Sequence, residues 1–283
     1  AFLRMGTSAR SLAMGSGFTA EIDQGFAAYH NPASVAFLNK RQIAFSYHAL
    51  NLDRRLMMSS ISTGLPPTAG LGVAWVSSGV DNIQGRSSAG YKTQILSTSE
   101  DAIFISFAQR ITPWLALGIN IKILKHQLPM NESQLAGKGT GFDIGFMALP
   151  EEKLKFAFVI QDLNTNYQWN TGDVYAEGRV YKDEFPTLYR IGSRMNYKGL
   201  IIVGDAGIIT DHKSFTSFLP RIGVEYVFLD QYYFRGGYGN NRIAFGIGLE
   251  YGLFKAHDSH LDYAFSMDWV NQTAHVISYA FNF

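Results

Sequence analysis

The sequence predicts an all-β fold: a transmembrane antiparallel β-barrel of about fourteen strands, with an N-terminal segment folded into its lumen as a plug or hatch. Three observations predict it. Apolar and polar residues alternate with period two in segment after segment. The connections between these segments are short on one side and long on the other. The composition is 14% aromatic and only 17% charged, yet no apolar run is long enough for a membrane helix. Spanning helices need roughly 20 apolar residues, and the best stretch, Trp114 to Leu124, is interrupted by Gly118, Asn120 and Lys122. Mean hydropathy is −0.02. A barrel reconciles these facts, because alternating strands average to neutrality.

Residues 1–40 come first and do not alternate. They are rich in Gly, Ala and Ser, Ser11–Met14 suits a short helical turn, and Asn31-Pro32 is a turn signal. Forty residues exceed a simple tail before a closed barrel, and small side chains fit inside one. The division predicted is therefore 1–40 as plug and 41–283 as barrel. The strands follow at 41–50, 54–64, 69–79, 100–110, 113–126, 138–149, 153–162, 186–197, 199–210, 217–228, 231–239, 242–252, 260–270 and 273–283. In the fifth, Leu115, Leu117, Ile119, Ile121 and Ile123 share one face, with Ala116, Gly118, Asn120 and Lys122 opposite. With the N-terminus on the inner side, the inner turns are short: Pro66-Pro67, Thr112-Pro113, Pro150–Glu152, Lys198-Gly199, Leu229-Asp230, and a polar turn near Lys255–Ser259 that holds His257. The long loops 80–99, 127–137 and 163–185 all fall outside, the asymmetry of outer-membrane barrels. Trp114 and Trp269 stand at strand ends, where interfacial aromatics gather.

The second face of the strands is small or neutral-polar: Gly70, Gly72 and Ala74 in one strand, Gly246 and Gly248 in another. A soluble sandwich would carry charge there. Parity assigns six cations to the lumen, Lys122, Arg190, Arg194, Arg221, Arg235 and Arg242, and six anions, Asp143, Asp205, Glu225, Glu250, Asp262 and Asp268. The balance argues for internal pairing rather than a filter of one sign. The outer loop 163–185 carries Tyr167, Trp169, Tyr175 and Tyr181 among polar residues, a candidate surface for a partner or an ordered lid.

The N-terminal segment also carries a spaced set: Phe2-Leu3, Gly6, Ala9-Arg10, Ala13-Met14-Gly15, Phe18-Thr19-Ala20, Asp23, Ala27-Ala28-Tyr29 and Asn31-Pro32-Ala33. On these residues the chain resembles the PorV/PorQ family of outer-membrane proteins, within the wider FadL-type superfamily, with departures at Ser16-Gly17 and Ser34-Val35 where the pattern has Gly-Ala and Gly-Leu. The resemblance implies a fourteen-stranded barrel with a lumenal hatch in the bacterial outer membrane. It also implies either a docking role beside a larger secretion channel, of type IX kind, or hydrophobic transport of the FadL kind. A terminal aromatic, Phe283, suits outer-membrane assembly. The chain begins without a leader, so any signal peptide is expected to have been removed.

The composition narrows the functions further. Lys and Arg number 24 against 23 Asp and Glu, so no global grip on nucleic acid is expected. There is no cysteine, hence no thiolate metal site or cysteine nucleophile. His257 and His260 are close in sequence but lack further metal ligands, and no nucleophile–base motif stands out, so no enzyme, metal or cofactor is expected. The preferred reading is an accessory barrel that docks a secreted or surface protein through its outer loops and a larger outer-membrane channel through its lipid-facing wall. The alternative is a transporter that takes a hydrophobic small molecule through the lumen and out by a lateral gap. A purely structural surface component is the third.

Overall fold

The computed structural model describes residues 2–22, 26–129, 134–173, 177–211, 214–254, 257–270 and 272–283. Its strands are β1 (Gln42–Leu50), β2 (Arg54–Leu65), β3 (Ala69–Arg86), β4 (Lys92–Thr112), β5 (Leu115–Pro129), β6 (Gln134–Glu151), β7 (Leu154–Asn170), β8 (Val180–Glu184), β9 (Thr187–Tyr197), β10 (Leu200–Thr210), β11 (Phe215–Phe228), β12 (Tyr232–Gly239), β13 (Arg242–Phe254), β14 (His257–Asp268) and β15 (Thr273–Asn282). All pairings are antiparallel between chain neighbours, except that β7 pairs with β9 across the short β8, and β1 pairs with β15 to close the ring. Among the described residues, fourteen strands form the barrel; β8 only lengthens the sheet beyond β7. Reciprocal backbone hydrogen bonds of 2.9 Å between Arg41 and Phe283 extend the closing seam. A closed ring leaves no unpaired strand edge, as a membrane requires.

The alternation decides which face is which. In β5 the large apolar residues Leu117, Ile119, Ile121 and Ile123 are exposed, while Ala116, Gly118, Asn120 and Lys122 are buried. The same inversion runs round the ring, with Phe45, Trp75, Phe107, Phe158, Phe234 and Phe265 facing outward. A water-soluble protein would not present such a continuous apolar surface; a bilayer covers it. Among the described residues, no helix is long and apolar enough to cross a membrane. Trp114 and Trp269 are both exposed at strand ends.

Two expectations change. β3 and β4 run on to Arg86 and from Lys92, so most of the expected loop 80–99 is a hairpin extension; much of 127–137 and the start of 163–185 are likewise strand. Past the membrane both faces meet water. With no lipid on one side nothing imposes the alternation, and period two fades. His257 opens β14 rather than lying in a turn, and His260 follows inside the strand.

The N-terminal segment folds as short pieces: α1 (Ala9–Ala13), α2 (Ala27–His30) and two 3-10 turns, Phe2–Arg4 and Pro32–Phe37. Ser8 caps α1, accepting a hydrogen bond from the backbone N–H of Ser11, while the Ser11 hydroxyl oxygen accepts from the Ser8 N–H. Such a reciprocal cap satisfies amides that a five-residue helix cannot.

Candidate functional site in the barrel interior

Glycines on the inward faces set how closely the N-terminal segment approaches the wall. A Cβ on Gly223 or Gly237 would strike the Met14 backbone, one on Gly239 the Gly15 carbonyl, and one on Gly246 the Cβ of Ala13. On the opposite half, Gly70 faces the Val35 carbonyl, Gly118 the Pro32–Ala33 peptide and Gly145 the Asn31 side chain. So α1 packs on β12 to β15, and the Pro32–Phe37 turn packs on β2 to β6. Gly15 itself adopts φ of +63° with the carbonyls of Ile222 and Tyr238 pressed against it, a position no side chain would fit.

The Asn31-Pro32-Ala33 motif has a mechanical explanation. The Asn31 side-chain amide donates to the carbonyls of Thr19 at 3.1 Å and Phe146 at 3.0 Å. Its Oδ1 accepts from the Ala33 N–H at 3.0 Å and caps the 3-10 turn that Pro32 opens. One side chain thus ties two parts of the segment to β6. Gly6, Ala9, Arg10, Met14, Gly15, Asn31, Pro32 and Ala33 are all buried. Asp23 lies outside the described residues.

The charges gather into clusters. Arg10 grips Glu225 through two hydrogen bonds of 2.8 Å and reaches Glu21 at 3.1 Å. Arg194 bonds Glu21 at 3.1 Å; Arg235 bonds Glu225 and Asp262, each at 2.5 Å. Burial alone would raise the Glu21 pKa, but the Arg194 and Arg10 guanidiniums outweigh it and hold the carboxyl well below its ordinary range. Around β5 to β7, Lys122 sits 2.6 Å from both Asp143 and Asp162, and Arg4 bonds Asp162 at 3.1 Å. Asn120 joins Asp143 to the Ala28 carbonyl. Asp205 accepts from the Thr19 hydroxyl at 2.6 Å and lies 4.0 Å from Arg190. Arg221 bonds Asn240 and the Ser16 carbonyl. At the rims, Arg242 meets Asp268 at 3.3 Å on the outside, and Glu250 meets Tyr233 and His260 on the inside. Unpaired charge is costly in such surroundings. His30, whose Nε2 meets the Thr7 hydroxyl at 3.1 Å, is held well below the ordinary imidazole value by burial, with Arg190 and Arg221 adding to the effect.

The twelve lumen charges lie on the inward face. They do not simply pair with one another: Arg4, Arg10 and Glu21 from the N-terminal segment complete the clusters. Asp162 was also beyond the parity argument, because it sits at φ +63° where the β6–β7 register shifts and alternation fails. The expected aromatic loop is different again. Tyr167 and Trp169 belong to β7, with Tyr167 buried, and Tyr181 lies exposed on β8. Tyr175 is outside the described residues.

Two interior cavities flank the Arg10 cluster. The outer, about 360 Å³, is lined by Met5, Leu12, Leu50, Ile209 and Leu219 together with Arg4, His48, Arg221, Asn240 and Arg242. The inner, about 410 Å³, is more polar and includes Arg10, Glu225, Glu250, Asp258 and His260.

The fold is shared with solved structures. The chain resembles the CymD monoaromatic hydrocarbon channel, with a TM-score of 0.72 at 12% identity, covering 100% of this chain and 99% of that one. The toluene transporter TodX of P. putida matches with a TM-score of 0.69 at 15% identity, covering 98% and 99%. A Pseudomonas aeruginosa FadL homologue matches with a TM-score of 0.66 at 12% identity, covering 98% of each chain. The fold is therefore that of FadL-type outer-membrane barrels. No family model matches, and no curated protein matches.

Proposed function

We propose that this chain is a bacterial outer-membrane conduit for small hydrophobic molecules, with residues 1–40 as its hatch. The observation that carries this reading is the outer cavity: mainly apolar, open toward the outer mouth and floored by Leu12, Gly15 and Ser16 of the N-terminal segment. Its volume of about 360 Å³ exceeds the ~150 Å³ that holds benzene in an engineered apolar cavity. Agreement with hydrocarbon channels over nearly the whole of both chains supports it, N-terminal segment included. On this reading the lateral exit is assigned to the stretch where β6 and β7 lose regular pairing between Thr140 and Ile144.

The test is uptake of radiolabelled toluene by Gram-negative cells that lack other hydrocarbon channels. Expression is expected to raise the initial rate, and Leu219→Asp, which places a charge in the outer cavity, to abolish the gain. Uptake equal to the empty-vector control would sink the reading.

The accessory role, with a PorV/PorQ-like barrel docking a secreted protein and a larger channel, has one specific support. The Arg10 cluster fills the space between the two cavities with paired charge. Stoichiometric recovery of a secreted or outer-membrane protein from mild detergent would favour it over transport. The comparisons favour transport.

A further inference from the structure

We propose that a pocket on the outer rim, separate from the lumen, binds a small organic cation. It lies where the extended β4, β5 and β7 meet β8 and has a volume of about 530 Å³. Four rings form its wall. His126 is 5.7 Å from Tyr167 and 5.2 Å from Trp169; Tyr167 is 5.6 Å from Trp169 and 5.4 Å from Phe185. Interplanar angles of 50–67° incline the rings to one another, so they offer several faces rather than one flat platform. An aromatic face carries negative potential and attracts a positive charge set over it.

The rest of the pocket carries the same sign. Glu100, Asp183 and Glu184 line it, and neither Lys nor Arg is among its described lining residues. Glu100 sits 3.5 Å from His126, and Glu184 bonds Lys182 at 2.9 Å outside the wall. A neutral hydrocarbon would gain nothing from three carboxylates and would desolvate them. A cation gains from both the rings and the carboxylates.

The wall is held rigidly. Tyr167 is 3% exposed, its ring wedged among His126, Trp169 and Phe185. Trp169 is also built in: its ring lies flat on Gly137, where a Cβ would come within 2.8 Å of three ring carbons. The wall is thus positioned before any ligand arrives, which lowers the entropy cost of binding.

The experiment is calorimetric titration of the full chain, in non-ionic detergent, with phenyltrimethylammonium and with its neutral isostere tert-butylbenzene. The cation is expected to bind saturably at one site, and the isostere at least about tenfold more weakly. Trp169→Ala is expected to weaken the cation by about tenfold. Glu100→Gln is expected to weaken it less and to flatten its salt dependence. If Trp169→Ala fails to assemble, as judged by heat-modifiable migration, Glu100→Gln decides alone. No binding to the unmodified chain, equal affinity for the isostere, or an unchanged affinity in Glu100→Gln each overturns the proposal. For each ligand only the binding lost in Trp169→Ala is counted; hydrocarbon held in the lumen is therefore left out, and the result is independent of the conduit reading.

Discussion

At the scale of single residues, the inward glycines matter as much as the charges. Their spacing in the sequence already marked a face against which something packs, but not which atoms of the N-terminal segment pack there. The partner is a backbone, that of Met14, and backbone cannot step aside as a long side chain can. Gly223→Ala is therefore expected to cost about 1–3 kcal/mol through overpacking and to loosen the N-terminal segment. Gly204, one strand away, is the control: a Cβ there meets nothing nearer than 4.0 Å. Limited proteolysis checks the pair, with cleavage within residues 2–22 accelerated in Gly223→Ala and unchanged in Gly204→Ala. Equal resistance in both would mean that the close approach is not what seats the segment. The charges were half legible at this scale. Parity placed Lys122, Arg235 and Glu225 inward, because strand geometry alternates strictly. It could not complete their clusters, since Arg4, Arg10 and Glu21, which bond Asp162, Glu225 and Arg194, lie in a stretch with no period to read.

At the scale of elements, what could be read in the sequence follows what the membrane enforces. Strands were legible wherever lipid demands an apolar outer face and the lumen a small inner one. The extensions of β3 to β7 and all of β8 were not, because above the bilayer either face tolerates polar residues; every residue of β8 is exposed. The break between β6 and β7 was equally hidden. It rests on positive φ at Asp162 and Asn164, and on Gly141, where a Cβ would collide with Thr165. If the lateral exit lies there, tying the strands closes it. The chain has no native cysteine, so Phe142→Cys with Leu163→Cys, which face each other across the break, forms a defined cross-link. The oxidised double variant is expected to lose most of its hydrocarbon uptake and to regain it on reduction. Full uptake while cross-linked would move the exit elsewhere.

At the scale of the whole molecule, one surface must serve the bilayer, and its limits can be read along β5. The outward residues run Leu115, Leu117, Ile119, Ile121 and Ile123, and then Lys125. From Leu115 to Ile123 is about 27 Å of strand, and with the usual tilt this comes within a few ångströms of the apolar band of about 25 Å. Lys125 then stands at the outer interface, where its long side chain reaches headgroups. Depth, rather than exposure, should set the cost of a charge on this face. Ile121→Arg near the midplane is expected to cost about 2–4 kcal/mol, whereas Leu115→Arg, at the inner end of the same face, is expected to cost about 0–1 kcal/mol. Denaturant-dependent folding into lipid vesicles measures both, and the difference between them is the informative quantity. A penalty of the same size at both positions would mean that the bilayer does not lie where the apolar belt places it. The inward orientation of Lys122, one residue away from Ile121, shows how narrow the distinction is: a charge is stabilised on one side of the wall by Asp143 and Asp162 and expelled by lipid on the other.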